Sequence, residues 1–417
     1  MASVRFVHAA DVHLDAPFKG VDAADPRVRD ELVASTYRAL DAVVVACLQH
    51  GADFLVLAGD VYNQAEKSLR AQFAFRDACT KLDEGGVRVF VARGNHDPSS
   101  GWSAGLAMPA NVHVFSDREV ERVSFERDDE ELCALYGRSF RTGAETDNLS
   151  REFHRGAQDR LAIGVLHANV GGRTEYEPYA PCSLDDLRAA KMDYWALGHI
   201  HKPEVLSEEP PIVYAGCTQG LDPNDNGIRG CRVVDLDEHG ATAVFVPTST
   251  VMWDRSDVDL GPRETLDDVR AALAQAVEES QRRAEGRPVI LRAVLSGRSA
   301  VHPELVRPGV LRDLAAEVRS DALDREPWVW ADRIDDRTRP PVDLPSIREG
   351  ADFAGDLVRL ADEVLAEPDR AAALVEDVSR SLVGALDACD VPTLDAASLL
   401  ERARDHALDR LLAEEGL

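Results

Sequence analysis

Eight polar residues, Asp11, His13, Asp60, Asn95, His96, His167, His199 and His201, stand at or just beyond the ends of short apolar runs, and this placement constrains the fold more than any other feature. The runs are Val4–Ala9, Asp53–Ala58, Val87–Ala92, Leu161–His167 and Tyr194–Leu197. Between the first three lie stretches with apolar residues three and four apart. Pro26–His50 opens on Asp25-Pro26 and closes at Gly51, and Ser68–Leu82 closes at Gly85-Gly86, the residue types that start and stop helices. Strand and helix in alternation predict parallel strands joined by right-handed crossovers. In such folds the functional site gathers where the strands end.

The side chains at those ends are carboxylates, imidazoles and one amide, with no thiolate among them. That donor mixture suits Mn²⁺, Fe²⁺ or Zn²⁺ better than Ca²⁺ or a soft metal. Asp11 and His13, and likewise His199 and His201, are separated by one residue, so in an extended segment each pair points the same way and can grip one ion. With this many donors, two ions about 3.5–4 Å apart can share a carboxylate and activate a water between them. Asp60 is the expected bridge.

From Val112 onward the runs become shorter and richer in β-branched residues. Val112–Phe115, Leu132–Tyr136 and Ile212–Ala215 read as strands, and Cys231–Leu236 with Ala241–Val246 as a hairpin around Glu238-His239-Gly240. A second sheet is therefore expected within residues 1–250. The pattern then restarts over 251–336 as a small α/β unit: helix Thr265–Arg283, strand Val289–Leu295, helix Pro303–Val318 and strand Trp328–Asp332. Residues 337–349, with Pro340, Pro341 and Pro345, predict a linker. Residues 350–417 predict a helical tail with three apolar stripes, Phe353/Leu357/Leu360/Val364, Leu374/Val378/Leu382 and Leu400/Ala403/Ala407/Leu411.

Charge and cysteine usage narrow the classes further. With 75 acidic against 47 basic residues the chain carries a net charge of −28, which repels phosphate backbones unless metal ions, a local basic patch or a partner reverse the field. Nucleic acid is not a substrate that charge alone suggests. The seven cysteines, Cys47, Cys79, Cys133, Cys182, Cys217, Cys231 and Cys389, are scattered and never spaced as C-x-x-C. They are expected as buried small hydrophobes in a reducing compartment, and a thiolate zinc site is excluded. With no apolar run long enough for a membrane span or a signal peptide, a cytoplasmic location is expected.

Asp11-x-His13, Gly59-Asp60, Gly94-Asn95-His96-Asp97, His167 and Gly198-His199-Ile200-His201 together resemble the ordered signature of the calcineurin-like metallophosphoesterases. Their surroundings, Phe6-Val7-His8-Ala9-Ala10-Asp11-Val12-His13-Leu14-Asp15-Ala16-Pro17-Phe18 and Tyr214-Ala215-Gly216-Cys217-Thr218-Gln219-Gly220, are similar to the bacterial DNA-repair exonuclease branch, the SbcD-like and especially YhaO-like group. The resemblance implies an α/β fold of two mixed β-sheets packed face to face and flanked by helices, followed by a small α/β capping domain. It implies one metal held by Asp11, His13, Asp60 and His201 and a second by Asp60, Asn95, His167 and His199, most often Mn²⁺. His96 becomes the catalytic histidine, with Asp97 orienting it or its loop. The implied function is a metal-dependent DNA exo- or endonuclease of DNA repair. Its expected partners are DNA, a coiled-coil ATPase resembling chromosome-maintenance (SMC) proteins docked on the tail, and a second copy of the chain. Two residues depart from the branch: Asn63 stands where His or Asp is common, and Cys217 where Ser or Asn is expected.

Blander readings apply elsewhere. His8 reads as a satisfied core histidine, and Tyr194 and Trp195 as core aromatics. The arginines at 138, 141, 151, 155, 160 and 173 fit a DNA-contacting patch and a salt-bridged surface equally well. The alternative activities are a phosphatase or phosphodiesterase acting on small molecules or phosphoproteins, and a regulatory subunit that binds metal without turnover. Ending the third motif in Asp97, with no Asp-Arg-Gly after Asp60, argues against the protein phosphatases. The complete ligand set argues against the regulatory subunit.

Overall fold

Asp25 and Ser68 begin the first two long helices as the sequence predicts: their carboxylate and hydroxyl accept from the backbone N–H of Arg27 and Ala71. Around these helices the computed structural model sets β1 (Ser3–Ala9), α1 (Pro26–Gln49), β2 (Phe54–Ala58), α2 (Leu69–Glu84), β3 (Arg88–Ala92) and β4 (Val112–Val114). There follow β5 (Glu121–Arg127), β6 (Glu130–Arg138), β7 (Ala162–His167), α3 (Leu184–Ala189), β8 (Tyr194–Gly198), β9 (Glu204–Glu208), β10 (Pro211–Tyr214), β11 (Gly230–Asp237) and β12 (Gly240–Pro247). The structure describes residues 2–18, 25–63, 68–101, 105–261, 263–386 and 395–414. Cys389 lies outside them; the other six cysteines are buried and unpaired.

Two mixed six-stranded sheets result, in the orders β12-β11-β1-β2-β3-β4 and β5-β6-β7-β8-β10-β9. The inner faces meet in one core, where Phe6, Phe54 and Phe90 of the first sheet pack with Leu135, Ile163, Val165 and Tyr194 of the second. Phe6 stacks on Phe54 at 5.1 Å and meets Tyr194 edge-on at 5.3 Å. Each such ring taken out of water contributes about 1.5–3 kcal/mol. The outer face of the first sheet is covered by α1 and α2 through Leu40, Val43, Val44, Phe75 and Leu82. Because β1, β2, β3, β7 and β8 carry alternate residues into these covered faces, they read as the near-continuous apolar runs seen in the sequence.

Residues 252–339 complete this unit with β13 (Met252–Asp259), α4 (Leu266–Arg283), β14 (Val289–Ser296), α5 (His302–Leu305), α6 (Val310–Ala322) and β15 (Val329–Asp336), around a parallel sheet ordered β13-β14-β15. The single helix expected over Pro303–Val318 is two, because Pro308 and Gly309, the latter at φ 93°, separate α5 from α6. The first compact unit ends at Arg339.

The second unit, Pro340–Leu417, holds α7 (Leu344–Glu349), α8 (Phe353–Leu365), α9 (Pro368–Leu386) and α10 (Ala396–Glu414). Helix α7 falls inside the stretch expected as linker. Asp343 caps it by accepting from Ser346 N–H, and Pro345 sits in the first turn, where its missing N–H is no loss. The expected stripes are also shifted. The small core is Ala354, Val358 and Leu408, while Phe353, Leu360, Leu374 and Val378 are exposed and the Leu382 side chain lies outside the described set. Among the described residues no helix is long and apolar enough to cross a membrane.

Candidate metal centre

All eight polar residues converge where β1, β2, β3, β7 and β8 end. The segment after β1 runs beside the one after β2: Asp11 N–H donates to the Gly59 carbonyl at 3.1 Å and His13 N–H to the Asp60 carbonyl at 3.0 Å. Asp11, His13, Asp60 and His199 all adopt positive φ, at 51°, 46°, 53° and 96°. A backbone held in that region costs about 1–3 kcal/mol per residue and persists where surrounding structure enforces it, as at functional sites. Three motif glycines explain themselves by packing. A Cβ on Gly59 would lie 2.1 Å from His167 Nδ1, one on Gly94 2.4 Å from Asp60 Oδ1, and one on Gly198 1.9 Å from the Ala58 carbonyl oxygen. No side chain fits there without displacing a buried member of the cluster.

Three imidazoles have one ring nitrogen committed outward. His167 Nδ1 donates to the Ala58 carbonyl at 2.9 Å, His199 Nε2 to the Glu177 carbonyl at 2.8 Å, and His201 Nδ1 to Asp225 at 3.0 Å. This leaves His167 Nε2, His199 Nδ1 and His201 Nε2 as the nitrogens available to the cluster, the arrangement by which metal-ligating histidines have tautomer and orientation fixed. Inside, His167 Nε2 lies 3.0 Å from Asn95 Oδ1 and 3.3 Å from Asp60 Oδ2, and His13 Nε2 lies 3.2 Å from His201 Nε2 and 3.8 Å from Asp60 Oδ2. Such spacings suit neighbouring ligands each about 2.0–2.2 Å from a shared ion. Asp11–His13–His201 and Asp11–Asp60–His167 form two clusters with donor atoms within 4.8 Å of one another. The donor set fits a pair of divalent cations.

These groups shift one another strongly. Burial pushes Asp11 up to about 6 and His13 and His199 down to about 3 and 4. Burial opposes the shifts of Asp60 and His167, but their mutual attraction prevails, holding the carboxylate below its usual range and raising the imidazole to about 9. His201 is likewise raised to about 9, since Asp225 outweighs its burial. Buried carboxylates and imidazoles so perturbed, gathered at strand ends, mark a functional site.

His96 occupies the exposed rim. Its backbone N–H donates to Asp60 Oδ1 at 2.8 Å, its ring meets that of His13 edge-on at 4.8 Å, and its Nδ1 is 3.4 Å from Asn63 Oδ1. Asp97 is placed differently from a catalytic group. Buried behind the loop, it accepts from Gly94 N–H at 2.7 Å and Val61 N–H at 2.9 Å and so joins the segments after β3 and β2. It is a positioning residue. Sequence reading missed Asp225 and the Glu177 carbonyl, which follow no apolar run and reach the site only through tertiary folding. His8 is fully buried, accepting at Nδ1 from the Tyr194 hydroxyl and donating from Nε2 to the Leu197 carbonyl. Five of the six grouped arginines are ion-paired: Arg138 with Glu152, Arg151 with Asp186, Arg155 with Asp193, Arg160 with Glu130 and Glu238, and Arg173 with Glu204.

Comparison with known proteins agrees with this geometry. The calcineurin-like phosphoesterase family matches residues 4–203, and the middle domain of metallophosphoesterase YhaO matches residues 253–339. The chain is 32% identical over 350 residues to the uncharacterized metallophosphoesterase YhaO of Bacillus subtilis, across 83% of this chain and 85% of that protein. It is 26% identical over 374 residues to the DNA double-strand break repair protein Mre11 of Methanopyrus kandleri, across 83% of this chain and 76% of that protein. To the Mre11 protein of Methanocaldococcus jannaschii it is 25% identical over 230 residues, across 53% of this chain and 58% of that one.

Proposed function

We propose that this chain, which belongs to the calcineurin-like metallophosphoesterase family, is a two-metal phosphodiesterase whose substrate is DNA. The observation that carries the phosphodiesterase reading is the set of imidazoles whose outer nitrogens are tied off at Ala58, Glu177 and Asp225, with His167 Nε2 beside Asp60 and Asn95 and His201 grouped with Asp11 and His13. Asp11, His13, Asp60 and His201 would hold one ion, and Asp60, Asn95, His167 and His199 the other. Bound there, divalent ions supply Lewis acidity for phosphate and lower the pKa of water.

The remaining steps belong to the chain. Asp60 stays ionised because His167 outweighs its burial, so it can serve both positions. His96, exposed at the rim and anchored through its N–H to Asp60, is where a departing oxygen would meet a donor. With its Nδ1 3.4 Å from Asn63 Oδ1, the His96 imidazole is the group that would pass a proton to that oxygen. The buried groups exclude bulk water from the far side and hold the cluster rigid.

DNA as the substrate is supported by similarity to two Mre11 proteins named for double-strand break repair. The net charge of −28 and the pairing of five grouped arginines give the chain little electrostatic hold on a duplex of its own. A partner that grips DNA fits this reading, an SMC-like ATPase docked on residues 350–417 being the proposed one, together with a homodimer and Mn²⁺ as the working ion.

End-labelled single- and double-stranded DNA, with Mn²⁺, beside His96→Ala and a bis-phosphodiester chromogen, tests the reading. DNA cleavage that falls at least about 100-fold in the variant supports it. Cleavage of the chromogen but of no DNA, even with an ATPase partner added, transfers the activity to small phosphodiesters.

A further inference from the structure

Of the three imidazoles with an outward-tied nitrogen, His201 is the one held by a side chain rather than by a backbone carbonyl. It lies beyond β8 in an irregular, partly exposed segment, with no strand to hold its ring. Its orientation comes instead from the turn before β11. Asp225, 3% exposed, accepts from His201 Nδ1 at 3.0 Å through Oδ1 and from Leu221 N–H at 2.8 Å through Oδ2. Arg229, 4% exposed, places its guanidinium on three carbonyls: Nη1 on His201 at 2.9 Å, Nε on Asp225 at 3.2 Å and Nη2 on Asn226 at 2.8 Å. The backbone of His201 and the turn carrying Asp225 are thereby locked to each other.

The same turn reaches the small parallel sheet. Asn226 Oδ1 accepts from Arg255 N–H at 2.8 Å, and Gly227 N–H donates to the Trp253 carbonyl at 2.8 Å, both partners lying on β13. Trp253 is buried at 1% exposure with Ile290 of β14 and Trp330 of β15, so β13 is a fixed anchor. We infer that Asp225 is the positioning residue of the metal ligand His201, and that residues 221–229 form a strut through which the small sheet of residues 252–336 sets that ligand.

The chemistry follows from the contact. A carboxylate accepting the Nδ1 proton fixes the tautomer that leaves Nε2 free for a cation, holds the ring plane and makes the ligand more basic, and loss of such a partner costs about 10- to 100-fold in metal affinity. Cys217, which lies within 4.8 Å of both groups, does not make this a separate metal site. His201 Nδ1 is already committed to Asp225. An Asp that merely shaped its own turn through Leu221 would leave metal binding at His201 untouched.

This inference rests on the two-ion reading, and the test separates the two. Mn²⁺ is titrated by calorimetry into the metal-stripped full chain and into Asp225→Ala, Asp225→Asn and Asn226→Ala, with the metal-free unfolding temperature of each recorded. Asp225→Ala is expected to weaken one binding step about 10- to 100-fold and leave the other unchanged. Asp225→Asn, whose amide oxygen still accepts from His201, is expected to recover most of that loss. Asn226→Ala, an exposed change, is expected to weaken the same step severalfold with its metal-free unfolding temperature intact; should Asp225→Ala not fold, it and Asp225→Asn decide the matter. Variants that bind Mn²⁺ like the wild type overturn the role of Asp225, and wild-type affinity in Asn226→Ala alone overturns the tie to β13. A wild type that binds no divalent ion overturns the metal centre instead.

Discussion

Asp97 illustrates how a residue inside a motif can act without touching the chemistry. Its two oxygens hold the N–H groups of Gly94 and Val61, so Asp97→Ala leaves two buried donors without acceptors, at about 1–3 kcal/mol each. The expected outcome is a loss of about 2–5 kcal/mol in urea denaturation together with weaker Mn²⁺ binding, since Asn95 and Asp60 flank the joined segments. Wild-type stability in Asp97→Ala would overturn this joining role. The identities of Asp11, His13, Asp60, Asn95, His96, His167, His199 and His201 were legible because each interrupts apolar text at a strand end. Asp225 was not, because nothing in Leu221–Arg229 distinguishes a turn carboxylate from a histidine's partner.

Elements were legible where one periodicity ran long enough and hidden where it did not. Helix α4 is a clear case: Thr265 accepts from Asp268 N–H and the Asp268 carboxylate accepts from Thr265 N–H, a reciprocal cap at the start of Leu266–Arg283. Thr265→Ala is expected to cost about 1 kcal/mol in thermal or urea unfolding while leaving Mn²⁺ affinity unchanged, because the cap lies on the small domain's own helix. A fall in metal affinity would contradict that separation. Strands β5 and β9, by contrast, lie at the two edges of the second sheet and carry Glu121-Arg122-Val123-Ser124-Phe125-Glu126-Arg127 and Glu204-Val205-Leu206-Ser207-Glu208, polar text that reads as loop. Edge strands tolerate charge because one side faces water, so burial leaves no mark in the sequence.

Across the whole molecule the buried histidines couple stability to pH. His8 sits in the core between the sheets, where burial pushes its pKa down to about 3. Below about pH 6.5 the unfolded chain takes up a proton that the folded chain refuses. This contribution is therefore complete above about pH 6.5 and is lost on acidification toward about 3, at about 1.4 kcal/mol per pH unit. His8→Gln, measured with EDTA present, is expected to flatten the acid limb of the stability curve relative to the wild type. An unchanged slope would mean that His8 ionises freely when folded. The charge of −28 acts at the same scale, setting what the surface attracts rather than how the core closes.

The sequence by itself determined the α/β alternation, the metal-type donor set and the family, because these depend on local periodicity and on residue types at strand ends. Only the tertiary structure decided that the two sheets meet through Phe6, Phe54 and Tyr194, that Pro308-Gly309 breaks a helix, and that Asp225 and Arg229 hold His201. Those outcomes depend on contacts between residues distant in the chain, and the free energy of such contacts is set by burial and geometry that no local window of sequence contains.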